Sequence, residues 1–399
     1  MRWHRNVWVV TATSLLTDIS SEMIVHLLPL FLRSVLGAPV ALIGLLDGIA
    51  ETVSAMVKII AGRASDRFRS RKWFAVAGYS VSATAKPFLL LTQTWFGVLG
   101  VRFADRVGKG LRNPPRDALL AASVDADRRG TAFGLHRAGD TAGAFVGIGV
   151  AVWIVSELAG GGTITTDVFH TVVLASIIPA VLAVGIMAVG AQDVASPRIA
   201  DESRSVHRTI PVRRSFASLP ASYRRFVGII VVFTLGNATD AFIVLRAQSL
   251  GMSLVETLML MLLMTATYSV SALPLGTLSD RYGRRRVLIA GWLLYAVVYA
   301  ALAVAWASWQ LWIACALYGV YYGATEGVAR AYVADIVDDQ HRATAYGYVQ
   351  AAVAVAILPA SAGAGLLWDA MGPALPFAVG AVLALCAAML LAVSGRQRS

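Results

Sequence analysis

The feature that most constrains this chain is a succession of long apolar segments, each about the length of a bilayer crossing, separated by short turns that hold much of the charge. Runs broken by charged or Gly/Pro-rich turns predict helices near 7–36, 40–60, 74–93, 95–122, 131–157 and 169–192. A second set follows near 225–249, 254–275, 287–306, 308–335, 342–368 and 373–394. A spanning helix needs ~20 apolar residues, so one crossing per ~33 residues gives about twelve crossings and leaves no room for a large soluble domain. Apolar residues make up 57% of the chain and charged ones only 14%, where a soluble domain carries about 25%.

The net charge of +11 would suggest nucleic acid in a soluble protein. Here the basic residues fall mainly in short connections, and retention of those connections on the cytoplasmic side accounts for them, so no nucleic-acid partner is expected. The connections RASDRFRSRK, DADRR, SDRYGRRR and DDQHR, with the long linker, fall on one side; GAP, ELAGGGTITTD, LGMS, ASWQ and DAMGP contain no Lys or Arg. Both termini are therefore predicted on the cytoplasmic face of the inner membrane. The basic start before the first apolar run is like that of a signal peptide, but the run is too long and carries acids, so it reads as the first crossing. Cys315 and Cys386 lie in apolar runs and read as small buried hydrophobes.

The chain repeats. GRASDRFRSRK from Gly62 returns as GTLSDRYGRRR from Gly276, a shift of 214 residues, and RRGTAFG from Arg128 returns as HRATAYG from His341, a shift of 213. Two matches at nearly one offset indicate a duplicated six-helix unit: a first bundle at 1–194, a basic cytoplasmic linker at 195–224 and a second bundle at 225–399. Parallel repeats of this kind place a cavity between the halves and suit alternating access.

The repeated loop reads Gly-x-x-x-Asp-Arg-x-x-x-Arg. Its glycine would let another helix approach closely, and its aspartate can accept from a helix N-terminus or an arginine. On these residues the chain resembles the major facilitator superfamily over essentially its whole length. The resemblance implies an all-α membrane protein of twelve transmembrane helices in two six-helix bundles. It also implies a gating latch at the cytoplasmic contact between the halves, formed by Gly62, Asp66, Arg67 and Arg71 and by Gly276, Asp280, Arg281 and Arg285. Arg69 departs from the pattern, standing where the second copy has Gly283. If the charges only held topology, Gly and Asp would not be needed at fixed spacing.

Ionisable residues inside crossings are costly and are functional candidates by default. Asp18, Glu22 and His26 step by four, which at ~100° per residue turns the helix only ~40° each time and lines them on one stripe. Two neighbouring carboxylates in low dielectric cannot both ionise cheaply, so the pair can serve proton coupling or be a structural hydrogen-bonded pair. His26 beside carboxylates could ligate a divalent metal, but no second His or Cys cluster completes a shell, so neither metal nor cofactor is expected. Asp47 and Glu51 repeat the four-residue spacing, with Lys58 beyond. The fourth segment holds Arg102, Asp105, Arg106, Lys109, Arg112, Arg116 and Asp117. Arg106 followed by Gly110 resembles the superfamily's basic motif for proton transfer or substrate contact, with Arg102 as the alternative register. The fifth carries His136, Arg137 and Asp140 among Gly139, Gly143 and Gly147. These glycines resemble an antiporter motif but lack its proline, and they also suit close helix packing. In the second half, Asp240 follows Thr, as Asp18 does. Glu326 and Arg330 stand one turn apart and could neutralise each other, and the aromatics of YGVYYG from Tyr318 read as packing or cavity lining.

The function expected is secondary active transport of a small polar or amphipathic solute, proton-coupled, by a monomer in the lipid bilayer. The solute would bind midway, among the first, fourth, seventh and tenth crossings, with export favoured over uptake. No P-loop is present, so direct ATP use is not expected, and no nucleophile–base pairing suggests an enzyme. The alternatives are a divalent-metal or organic-anion permease, or a non-transporting sensor on the same scaffold.

Overall fold

A computed structural model describes residues 3–68, 70–125, 128–159, 163–194, 216, 219–337 and 342–394; within them, nothing is described of the side chains of Arg63, Asp66, Arg67, Arg129, Ala159, Arg342, Ala343 and Thr344. Arg69 and most of the linker lie outside the described residues. The described elements are helical throughout, as a chain in hydrocarbon requires, because a helix satisfies its backbone donors and acceptors within one segment.

Twelve crossings follow. The first is α1 (Arg5–Val25) with α2 (Leu28–Ser34), and the second is α3 (Val40–Phe68). The third is α4 (Arg71–Ala85), continued by a 3₁₀ turn at Lys86–Leu91. Next come α5 (Trp95–Ala122), α6 (Arg129–Ala159) and α7 (Thr166–Gly190). The seventh is α8 (Ala221–Leu235) with α9 (Ala241–Ser249). α10 (Leu254–Tyr282), α11 (Arg284–Val304), α12 (Ser308–Ile336), α13 (Arg342–Met371) and α14 (Ala374–Val393) complete the set. Nine stretches among the described residues are long and apolar enough to cross a membrane on their own. The other three fall short for visible reasons. α5 is dense in charge, the seventh crossing is cut in two, and α12 is rich in Trp and Tyr.

The interruptions trace to sequence. Pro29 has no N–H to give to the carbonyl of Val25, so the first crossing breaks at His26 and Leu27. This takes His26 off the continuous stripe that its spacing predicts. Pro87 stands at the α4-to-3₁₀ transition. The seventh crossing loses helical form between Gly236 and Asp240. Asp240 therefore borders a break, whereas Asp18 lies inside unbroken helix; the two are not positional counterparts.

The chain forms two compact units. The first comprises 1–23, 53–147 and 173–215; the second comprises 24–52, 148–172 and 216–399. In the first, Val7, Val10, Ala75, Leu119, Ala132 and Met187 share a core. α6 lies directly on α1, and a Cβ added to Gly143 would stand 2.4 Å from the Leu15 carbonyl oxygen and one on Gly147 2.5 Å from that of Ile19. Asn6 ties the bundle by donating to Ser123 Oγ and to the Gln192 carbonyl, both at 2.8 Å. In the second unit, α12 presses on α10 through Gly319 and Gly323. The first half of α3 packs on α13, with Gly44 against the Ser361 carbonyl and Gly365 against Ala41. The Asp369 carboxylate accepts from the amides of Val40 at 3.1 Å and Ala41 at 2.7 Å, stabilising the α3 N-terminus.

Candidate functional site

In the first unit the polar side chains of four crossings form one network. Lys86, fully buried at the end of α4, donates to Ser20 Oγ on α1 and lies 3.4 Å from Ser21 Oγ. Ser20 in turn donates to the Ser176 carbonyl at 2.5 Å. Asp18, Glu22 and Asp105 stand within electrostatic reach of this ammonium, so a buried cation is balanced by acids of two neighbouring helices. Asp18 also senses Asp140 on α6 and Lys109 and Arg112 on α5.

The α4–α5 contact makes this possible. Cβ atoms at Gly78 and Gly108 would stand 2.6 Å from backbone atoms of the opposite helix, so only glycine permits the approach. At that contact the Arg112 guanidinium donates to Ser82 Oγ at 2.8 Å and covers the Tyr79 ring at 4.8 Å, while Ser82 donates to the Asp105 carbonyl at 3.1 Å. Arg116 pairs with Asp117 at 2.8 Å and donates to Ser14 on α1 at 3.2 Å. His136 Nδ1 stands 3.6 Å from Asp140 Oδ1, one turn along α6. Arg106 is buried and Arg102 half-buried, and both lie within electrostatic reach of Asp105. Gly110, one turn beyond Arg106, lets α5 meet α3: its Cβ would stand 2.7 Å from Val57.

In the second unit Asp240, Glu326 and Asp47 each accept from a hydroxyl. Asp240 accepts from Tyr318 at 2.9 Å and from Tyr322 at 3.4 Å. Glu326 accepts from Tyr268 at 2.6 Å and from Arg330 at 3.0 Å. Asp47 accepts from Thr239 at 3.0 Å, at the break of the seventh crossing. Glu51 and His26 are half-buried, and the break in the first crossing at His26 interrupts the stripe that it would share with Asp18 and Glu22. Arg246 is spent on the carbonyls of Leu302 and Ala305 at 3.1 and 2.6 Å. A cavity of about 270 Å³ is lined by the Glu326–Arg330 pair together with Phe233, Trp292, Tyr321 and Tyr322.

The latch residues divide. Gly62 has only an ordinary contact, its Cβ position 3.6 Å from Pro114, and nothing described stands within 4 Å of that of Gly276. Among the described residues no helix backbone approaches either glycine closely. Arg285 closes the end of α14, donating to the carbonyls of Leu391 and Ala392 at 2.7 Å each. Asp280 accepts from Arg284 at 3.4 Å, and Arg284 also pairs with Asp335; Arg281 is exposed. Arg71 points to the Ala118 carbonyl at 3.5 Å. Asp66 and Arg67 are helical, but their side chains lie outside the described residues.

Sequence reasoning missed Lys86, Ser20, Ser82 and Tyr268. Lys86 left a signal, a lone Lys-Pro inside an apolar run; the hydroxyls left none, because Ser and Tyr are ordinary in such helices.

The same twelve-crossing arrangement occurs in known transporters. A sequence profile of the Major Facilitator Superfamily matches residues 10–263 and 225–398. An uncharacterized MFS-type transporter of Methanocaldococcus jannaschii is 33% identical over 97% of this chain and 94% of its own length. A class C tetracycline resistance protein of Escherichia coli is 40% identical over 27% of each chain. Among solved structures, the nucleoside transporter NupG superimposes with a TM-score of 0.78 at 14% identity, covering 98% of this chain and all of its own. The chain belongs to the major facilitator superfamily. It is thus a multi-pass membrane protein of a transporter family, not an enzyme.

Proposed function

We propose that the chain is a proton-coupled secondary transporter that moves a small solute across the inner membrane, with both termini cytoplasmic and export favoured over uptake. The observation that carries the coupling is the network of the first unit. Asp18, Glu22 and Asp105 stand within electrostatic reach of the buried Lys86, so protonating one acid would change the charge balance among α1, α4 and α5. A proton taken up from one side and released to the other would thereby bias two arrangements of the bundle. The α6 glycines support export, as does the kinship of about a quarter of the chain with a tetracycline resistance protein. The latch motifs are proposed to act as the gate, and the 1–194 and 225–399 bundles as the two rocking halves.

The test is solute flux in proteoliposomes driven by a pH jump, against a solute panel. Wild type accumulates or expels its solute with the gradient, and Glu22→Gln abolishes the pH dependence. Unchanged pH dependence in Glu22→Gln and in Asp18→Asn would remove both acids from the coupling mechanism.

A further inference from the structure

We propose that the cavity lined by the Glu326–Arg330 pair binds an uncharged aromatic molecule of one or two rings; this rests on the transport reading above and names its substrate class. Phe233 of α8 and Trp292 of α11 stack at 4.8 Å, and Tyr321 and Tyr322 of α12 add two further rings to the lining. Val349 and Val353 continue the apolar wall on α13. At about 270 Å³ the space falls just below the usual range for drug-sized ligands, which fits one or two rings.

The polar groups of the lining are committed within the protein. Thr234 donates to the Ile230 carbonyl at 2.8 Å, Thr325 to that of Tyr321 at 2.9 Å and Tyr346 to that of Arg330 at 3.0 Å. Glu326 and Arg330 are the charged residues of the lining, and they pair at 3.0 Å, so their formal charges cancel. Tyr268 donates to the other carboxylate oxygen of Glu326 at 2.6 Å. An ammonium entering at Glu326 must displace the guanidinium, and a carboxylate entering at Arg330 must draw it away from Glu326. Either exchange replaces one ion pair by another, while the ligand still loses the hydration of its charge. An uncharged ring leaves the pair intact, gives up little hydration and gains stacked or edge-to-face contacts with the aromatic wall.

A charge series on one ring system tests this: radiolabelled indole-3-ethanol, tryptamine, indole-3-acetate and tryptophan, measured for equilibrium binding to the purified protein in nanodiscs, with binding to empty nanodiscs subtracted and without any gradient. Indole-3-ethanol should bind about tenfold more tightly than each charged probe, since only it keeps its hydration cost small. Trp292→Leu, or Val353→Phe filling the space from the opposite helix, should weaken its binding at least several-fold. Glu326→Gln leaves the guanidinium without that carboxylate, so indole-3-acetate should gain several-fold relative to indole-3-ethanol. Each variant is accepted only with a wild-type size-exclusion profile. Tighter binding of the cation, the anion or the zwitterion to wild type, wild-type binding in both wall variants, or no binding of any probe at millimolar concentration would overturn the proposal. Intact binding with pH-independent flux would sink the coupling mechanism alone, and pH-driven flux of another solute without binding here would sink the cavity assignment alone.

Discussion

The two units bury acids by different means. In the first, Asp18, Glu22 and Asp105 stand within electrostatic reach of a buried ammonium, and Asp105 also of nearby guanidinium groups. In the second, Asp240 accepts from two tyrosine hydroxyls, and Glu326 from one hydroxyl and an exposed arginine. A proton adds one unit of charge to either kind of site, but only in the first does it alter the attraction between an acid and a buried cation on another helix. The difference teaches where a proton could act as a signal between helices.

The sharpest way to break this contrast is to remove one donor from each unit. Lys86→Met leaves the surrounding acids without their buried cation, and breaking a buried pair from one side costs about 3–5 kcal/mol. Tyr318→Phe removes a hydroxyl donor to Asp240, for about 1–3 kcal/mol. Thermal unfolding of both variants in the same detergent should rank Lys86→Met well below Tyr318→Phe. Adding Glu22→Gln to Lys86→Met should recover part of the loss, since it removes one acid left uncompensated. Equal losses, or no recovery in the double variant, would show that Lys86 is not the counter-ion.

The next effect concerns packing. Gly143→Ala places a methyl 2.4 Å from the Leu15 carbonyl oxygen, and the backbones of α6 and α1 must part. Overpacking of this kind costs about 1–3 kcal/mol. Gly276→Ala meets nothing within 4 Å, and alanine is favoured over glycine inside a helix by up to about 1 kcal/mol. Melting temperatures should therefore move in opposite directions. A destabilised Gly276→Ala would indicate a close approach in some other state of the protein, as the latch would require.

How much of this was legible in the sequence depends on what fixes each feature. The crossings were legible because apolar length is set by bilayer thickness: α5 runs from Trp95 to Ala122, and 95–122 is also the range its residues predict. The tight α6 face was legible because glycines spaced by four point one way along a helix. The break at His26 required weighing Pro29 against an otherwise continuous apolar run. Lys86 was hidden because its balance comes from acids on helices distant in sequence, which no local spacing announces. The tyrosine donors to Asp240 and Glu326 were hidden for the same reason, lying 78 and 58 residues away along the chain.

The smallest effect expected concerns the ion pair on α12. Arg330 is 62% exposed, and its pair with Glu326 spans one turn of α12. Exposed pairs of this kind contribute about 0.3–0.5 kcal/mol, so Arg330→Gln should barely alter thermal stability. A variant that melted early would instead make Arg330 part of the framework around Glu326, and formal charge pairing would then matter in the second unit too.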